Sequence, residues 1–409
     1  MHAEDAARGA AERVARGAYG RLVAYLAYRW GDVAAAEDAL ADALVRALTA
    51  WPAAGVPDSP EAWLMTAAKN RLLEAARHAR VRADPAVAVL FEEEAMPEAP
   101  DFPDDRLQLL FVCAHPSIDA ALHTPLMLQT VLGFDAARIG EAFLVAPASM
   151  GQRLSRAKAK LREARIPFEV PGRDELAPRI DAVCAAIYAA YGRAWEDPSG
   201  RDAGSGELAG EAIYLARLLV HLAPGEPEPR GLLALMLHCE ARRDARRSDE
   251  GEYVPLSAQD TARWSAPMLD EAEAQLSEAA IAHRPGRFQL EAAIQSAHAQ
   301  RRLTGETPWP AIALLYRALA AVAPSIGAQV AHAAAEAECR GPDAGLALLD
   351  AVAPERVADY QPYWAVRAHL AAQAGRADAA DAYRRAAGLA EDPAIRRFLQ
   401  RRLDAICTE

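Results

Sequence analysis

Residues 135–162, DAARIGEAFLVAPASMGQRLSRAKAKLR, decide how this chain is interpreted, because their character changes around Pro147. The residues before this proline predict a short helix, and those after it predict a second helix rich in arginine and lysine. Two helices joined by a tight turn form the layout of a helix-turn-helix, whose second helix enters a DNA major groove. The segment therefore predicts a local DNA-binding element.

The second of these helices has two distinct faces. Ser149 is predicted to cap its start, while Met150, Leu154 and Leu161 are predicted to face inward. The candidates for DNA contact are Ser149, Gln152, Arg153, Arg156, Lys158 and Lys160. Glutamine and arginine can form bidentate hydrogen bonds with base edges, and lysine suits phosphates. A solvated helix face is the alternative interpretation of these cations.

Composition restricts the class of protein. The 409 residues carry a net charge of −12, so DNA contact must be local rather than spread along the chain. Five cysteines without C-x-x-C spacing fit a reducing cytoplasm. We expect neither a signal peptide nor a membrane span. The absence of a phosphate-binding loop or a nucleophile motif leaves an enzymatic function or a cofactor without support.

Helical periodicity predominates in this alanine-rich chain, which predicts an all-α fold. Residues 8–82 predict a compact helical unit. Within it, Asp32 is predicted to cap one helix, residues 51–58 to form a loop, and Ser59-Pro60 to start the next helix.

A change in composition separates this unit from the helix-turn-helix. Residues 83–105 are rich in proline and acidic side chains and predict a flexible linker. Residues 106–166 predict a second small helical unit that ends in the helix-turn-helix.

The remainder of the chain predicts paired helices. Similar segments begin at Gly341 and Gly375, an offset of 34 residues, which is the period of a tetratricopeptide repeat. Such repeats stack into a curved array with a concave binding face.

Two further charged groups lie in the first unit. The helix after Pro60 carries an aromatic and several cations, a combination that suits single-stranded DNA: Trp63, Lys69, Asn70, Arg71, Arg77, Arg80 and Arg82. The alternative to DNA contact for Trp63 is a position in the hydrophobic core. The preceding helix carries an acidic stripe of Glu37, Asp38 and Asp42 beside Arg46, for which a solvated face is the alternative.

A metal site has little support. Cys113, His115 and His123 lie close in sequence but provide too few ligands for a typical zinc site. A buried cysteine with a capping histidine is the favoured interpretation.

The order of these motifs resembles an extracytoplasmic-function (ECF) sigma factor of the sigma-70 family. Residues 37–47 resemble the core-polymerase-binding helix of sigma region 2, and residues 62–71 resemble its −10 promoter helix. The helix-turn-helix resembles sigma region 4, which reads the −35 element. Segments such as residues 109–116, 231–238 and 284–294 resemble the ECF branch with a C-terminal tetratricopeptide-like (TPR) extension.

This resemblance implies a domain plan of region 2 at 1–83, an acidic linker at 84–105, region 4 at 106–170 and a TPR-like extension at 171–409. It implies core RNA polymerase and promoter DNA as partners of a cytoplasmic bacterial protein. The implied roles are polymerase binding by Glu37, Asp38, Asp42 and Arg46, −10 contact by Trp63, Lys69, Asn70, Arg71, Arg77 and Arg80, and −35 contact by Ser149, Gln152, Arg153, Arg156, Lys158 and Lys160.

Two questions remain open at the level of sequence. A helix-turn-helix regulator with a TPR scaffold, acting without polymerase, is the rival interpretation. The TPR-like face is expected to bind a protein or another part of the chain, and it could either mask the first two regions or be required for their activity.

Overall fold

The computed structural model describes residues 2–83, 105–143, 145–196 and 203–408. The described residues form α-helices and short 3-10 helices without a β-strand, which confirms the predicted all-α fold. None of the described helices is both long and apolar enough to cross a membrane. Of the predicted acidic linker at 84–105, only Asp105 lies within the described residues.

The chain divides into two compact units, Met1–Arg193 and Ala194–Glu409. The helices of the first unit are α1 (His2–Trp30), α2 (Val33–Ala54), α3 (Pro60–Ala83), α4 (Arg106–Cys113), α5 (Ala120–Thr130), α6 (Ala136–Ala142), α7 (Pro147–Glu163) and α8 (Arg173–Glu196).

The first three helices pack against one another. Asp32 caps α2 by accepting a hydrogen bond from the backbone nitrogen of Ala35 at 3.1 Å, as predicted. Helix α3 begins at Pro60, also as predicted. The loop predicted at residues 51–58 is wrong in its first half, because α2 continues to Ala54 with Pro52 inside it. Burial of Trp51 offsets the backbone hydrogen bond that this proline cannot donate.

Helices α4, α5 and α8 form the other half of the first unit. The side chain of Arg179 donates to the backbone oxygen of Phe111 at 2.7 Å, and Thr124 bonds the backbone oxygen of Ala186. Helix α8 therefore packs with residues that precede α6 and α7, although the sequence plan assigned it to the C-terminal extension.

A close approach joins the two halves of this unit. A Cβ on Gly20 of α1 would lie 2.2 Å from the backbone oxygen of Val131, just after α5. Gly133 follows in a left-handed conformation, φ 72°, and a Cβ there would lie 3.0 Å from the ring of Tyr19. Glycine at position 20 thus permits α1 to meet the end of α5.

The second unit contains α9 (Ala203–Leu222), α10 (Pro227–Glu240), α11 (Ala266–Ala280), α12 (Arg287–Ala299), α13 (Arg301–Thr304), α14 (Trp309–Val322), α15 (Ile326–Arg340), α16 (Pro342–Asp350), α17 (Pro354–Val357), α18 (Gln361–Gln373), α19 (Ala379–Leu389) and α20 (Pro393–Thr408). The two glycines identified by the 34-residue offset occupy similar places. Gly341 lies between α15 and α16, and Gly375 between α18 and α19, both with positive φ. Only glycine adopts this conformation without strain.

Side chains from separate helices stabilise this unit. The Glu228 carboxylate in α10 accepts hydrogen bonds from the backbone nitrogens of Phe288 and Gln289, the otherwise unpaired donors at the start of α12. Leu346, Leu349 and neighbouring apolar side chains fill a core between α15, α16 and α18.

Candidate nucleic-acid interface

Helices α6 and α7 are joined by a tight connection. The backbone nitrogen of Val145 donates to the backbone oxygen of Gly140 at 2.8 Å, and a Cβ on Gly140 would lie 2.5 Å from the Val145 oxygen. Glycine therefore allows the chain to turn back toward α7. The predicted cap at Ser149 is wrong, because α7 begins two residues earlier at Pro147, which is preorganised for a first helical position.

The faces of α7 agree with the amphipathic pattern. Met150, Leu154 and Leu161 are buried, as predicted. The predicted DNA contacts Gln152, Arg153, Arg156 and Lys160 are exposed, whereas Ser149 is half-buried. At 100° per residue, the four exposed side chains fall within one quarter to one third of the helix circumference. They form a polar surface, which we call the α7 outer face, that can reach a groove.

Lys158 lies on a different side of α7. Its Nζ is 2.6 Å from Oε2 of Glu37 in α2, and the two side chains are only 13% and 8% exposed. One turn further on, Arg162 lies 3.4 Å from the carboxylate of Asp32. The structure therefore pairs a predicted DNA contact with a predicted polymerase contact.

Burial determines the electrostatics of this pair. Desolvation raises the pKa of the Glu37 carboxyl, although the neighbouring lysine acts in the opposite direction. Oε1 of Glu37 is buried and, within the described part of the chain, has no hydrogen-bond partner. Among the described residues, only one of the two carboxylate oxygens of Glu37, Oε2, therefore accepts a hydrogen bond.

The rest of the acidic stripe remains accessible. Asp38, Asp42 and Arg46 of α2 are exposed, and Asp42 accepts a hydrogen bond from Nε of Arg71 in α3 at 2.7 Å. Of the four predicted polymerase contacts, Glu37 alone is buried. The acidic stripe therefore offers two carboxylates and an arginine to a partner.

The predicted −10 residues have unequal exposure. Asn70, Arg71 and Arg77 of α3 are exposed, and Lys69 is half-buried. Trp63 is half-buried and packs edge-to-face against Trp51 of α2, with ring centroids 5.5 Å apart. The side chains of Arg80 and Arg82 lie outside the described residues. The tryptophan thus combines a packing role with partial access.

The three residues considered for a metal site have local partners. Sγ of Cys113 is buried and lies 3.3 Å from Oγ1 of Thr130, and burial raises the pKa of this thiol to about 12. Nδ1 of His115 accepts from the backbone nitrogen of Ser117, as expected for a capping histidine. His123 bonds the backbone oxygen of Ile118.

Sequence reasoning missed the contacts that join α1 and α2 to the later helices. The paired Glu37 and Lys158 are 121 residues apart, and each belongs to a local pattern typical of an exposed face. Gly20 gave a weak signal, because an interior helical glycine costs stability unless a close approach requires it.

Comparison with known proteins agrees with part of this description. The family described as Sigma-70 region 2 matches residues 16–82, which comprise the second half of α1, all of α2 and nearly all of α3. A family of unknown function, DUF6596, matches residues 179–280, from α8 to the end of α11. No solved structure matches the chain.

A curated relative covers nearly the whole chain. Uncharacterized protein R00370 of Rhizobium meliloti (strain 1021) is 37% identical over 388 residues, which are 91% of this chain and 90% of the relative. The region 2 domain supports a place in the sigma-70 family and a role in transcription initiation by RNA polymerase. The chain therefore belongs to the same family as the Rhizobium meliloti protein and carries a sigma-70 region 2 domain.

Proposed function

We propose that this chain is an ECF-type sigma factor, a non-enzymatic bacterial protein that binds core RNA polymerase in the cytoplasm and directs it to promoters. The sigma-70 region 2 match at residues 16–82 is the observation that carries the proposal. This match supports a polymerase-binding and promoter-melting module in the same chain as the α6–α7 pair. The two modules together suit a promoter with separate −10 and −35 elements.

In this proposal, α2 docks on polymerase and α3 holds the melted −10 strand. The exposed Asp38, Asp42 and Arg46 support docking through the acidic stripe. On α3, Asn70, Arg71 and Arg77 offer hydrogen-bond donors and charge to the strand, while Trp63 offers part of an aromatic face.

The α7 outer face reads the −35 duplex. Gln152 and Arg153 carry the groups that form bidentate pairs with base edges, and Arg156 with Lys160 suits phosphates. The net charge of −12 limits binding to DNA in general, since non-specific affinity comes from phosphate neutralisation. Specific binding would therefore depend on polymerase.

The second unit serves as a TPR-like extension that supports or regulates initiation. The positive-φ glycines Gly341 and Gly375, at equivalent turns between paired helices, support a repeat of this kind. Its partner is a protein or another part of the chain.

Co-elution with core polymerase, followed by run-off transcription, tests this function. The full chain is expected to co-elute with core enzyme and to direct transcripts from discrete start sites. Replacement of Arg153 by Ala should lower run-off roughly 5- to 150-fold, the effect of losing one base-specific pair worth about 1–3 kcal/mol. Arg302→Ala, at an exposed arginine of the second unit, is the matched control and should transcribe like the wild type.

The same experiment separates the rival function. A regulator that acts without polymerase would bind a duplex site alone, and it would neither co-elute with core enzyme nor support transcription. Failure of co-elution would overturn the sigma-factor proposal.

A further inference from the structure

We propose that Lys158 and Glu37 form an intramolecular latch, by which α7 covers part of the polymerase-binding helix until polymerase engages. This inference rests on the proposed function, because it takes α2 as the polymerase-docking helix. It assigns Lys158 a role different from DNA contact.

The first observation is the position of Lys158 on its helix. At 100° per residue, Lys158 and Arg162 lie 40° apart and on the side of α7 opposite the α7 outer face. Both contact carboxylates near the start of α2, at 2.6 Å for Glu37 and 3.4 Å for Asp32. The α7 outer face stays exposed while this second side of α7 is occupied by α2. The latch therefore masks the polymerase-docking helix rather than the DNA-reading surface.

The second observation is the burial of the pair. Lysine and glutamate are almost never buried unless they are paired. Here a lysine that is 13% exposed meets a glutamate that is 8% exposed, from helices distant in sequence. Glu37 cannot contact a protein partner in this arrangement, because Lys158 covers it.

The third observation indicates that the contact can be released. Oε1 of Glu37 is buried without a hydrogen-bond partner in the described part of the chain, and an acceptor left in this state is costly. A pair that is only half satisfied is a poor permanent core. A partner that offers the carboxylate a second donor would therefore compete well for Glu37.

The fourth observation is that part of the acidic stripe on α2 stays exposed. Asp38 and Asp42 remain exposed beside the covered Glu37. They give polymerase an initial contact on α2, after which displacement of Lys158 would expose the rest of the face.

A distance measurement between α2 and α7 tests the latch without relying on transcription. In the full chain, with Cys339 and Cys407 replaced by Ser, spin labels are placed at the exposed positions Thr49→Cys and Glu163→Cys. Double electron–electron resonance then reports the α2–α7 distance distribution. The wild-type pair should give one narrow distribution.

Charge variants distinguish the latch from general packing. Lys158→Glu should lower the closed-to-open ratio at least tenfold, and Glu37→Lys should do the same. The double swap Glu37→Lys/Lys158→Glu should restore most of the closed population. Lys160→Glu makes the same charge change at an exposed site of α7 and should leave the distribution unchanged. Lys158→Met, which keeps the apolar stem without repulsion, is the second variant if Lys158→Glu fails to fold.

The outcomes separate this inference from the proposed function. An unchanged distribution in both Lys158→Glu and Lys158→Met would overturn the latch. Core polymerase added to the labelled wild type should shift the distribution to longer distances. Polymerase that co-elutes while the narrow wild-type distribution persists would also overturn it. Absence of co-elution would defeat the sigma-factor function, and recovery of the closed state in the double swap would then still show that the ionic contact exists.

Discussion

Replacement of Gly20 by Ala tests the packing of α1 against the end of α5 within the first unit. In an isolated helix this change is favourable by about 1 kcal/mol, because alanine has the higher helix propensity. In the structure, the new methyl group would lie 2.2 Å from the backbone oxygen of Val131. A backbone oxygen cannot rotate away as a side chain can, so the two helices must separate.

The expected magnitude follows from these opposing effects. Overpacking of a close contact costs about 1–3 kcal/mol, and a backbone obstacle places Gly20→Ala near the upper end. After subtraction of the propensity gain, a net loss of about 2 kcal/mol is expected. For a unit of this size, that loss corresponds to a decrease in Tm of roughly 4–8 °C.

Urea denaturation followed by circular dichroism measures the loss, with amide hydrogen exchange assigning it to α1 and α5. Gly192→Ala in α8 is the control, because a Cβ there meets no atom within 4 Å and should stabilise by up to about 1 kcal/mol. Stabilisation of similar size by Gly20→Ala would refute the close approach.

Three further predictions concern other parts of the chain. Burial lowers the pKa of His238 to about 4, although Oε1 of the half-exposed Glu273 lies 3.5 Å away. The contribution of neutral His238 to stability is therefore full above pH 6.5 and is lost as the pH decreases toward 4, by about 2 kcal/mol at pH 5. Burial also lowers the pKa of His298 to about 4, so His238→Gln should reduce the slope of a urea-denaturation pH profile between pH 6.5 and 4 without abolishing it. A chain ending at residue 172 lacks α8, whose buried Ile180 and Ile187 each contribute about 1.5–3 kcal/mol to the stability of the first unit. Calorimetry should therefore show a lower Tm for this chain than for a chain ending at residue 196. Equal Tm values would contradict the packing of α8. Trp51→Ala should cost about 3–5 kcal/mol in urea denaturation, because it empties a buried site under α3, and a cost below 1 kcal/mol would contradict this burial.

Local chemistry made much of the fold predictable. The Asp32 cap, the start of α3 at Pro60 and the inward face of α7 each depend on side chains within a few residues of one another. Propensity rules describe such short-range effects well. The helical periodicity that predicted the buried side of α7 also predicted that the α7 outer face is exposed.

The errors have tertiary causes. Residues 51–58 were expected to form a loop, but burial of Trp51 keeps the chain helical through Pro52 to Ala54. The spacing of Glu37, Asp38 and Asp42 predicted one exposed acidic stripe. Glu37 is buried instead, because it pairs with Lys158, and nothing in the local sequence indicates a lysine 121 residues away. Hydrogen bonds from Arg179 to Phe111 and from Thr124 to Ala186 join α8 to α4 and α5, across 68 and 62 residues of sequence, and no local pattern indicates them.

The most direct test of the central claim is the sequencing of transcript 5′ ends made by core RNA polymerase on fragments of bacterial genomic DNA, with and without the full chain. A sigma factor with regions 2 and 4 predicts new start sites that share two sequence blocks, near −10 and −35, at a constant spacing. Transcripts indistinguishable from those of core polymerase alone would contradict the account.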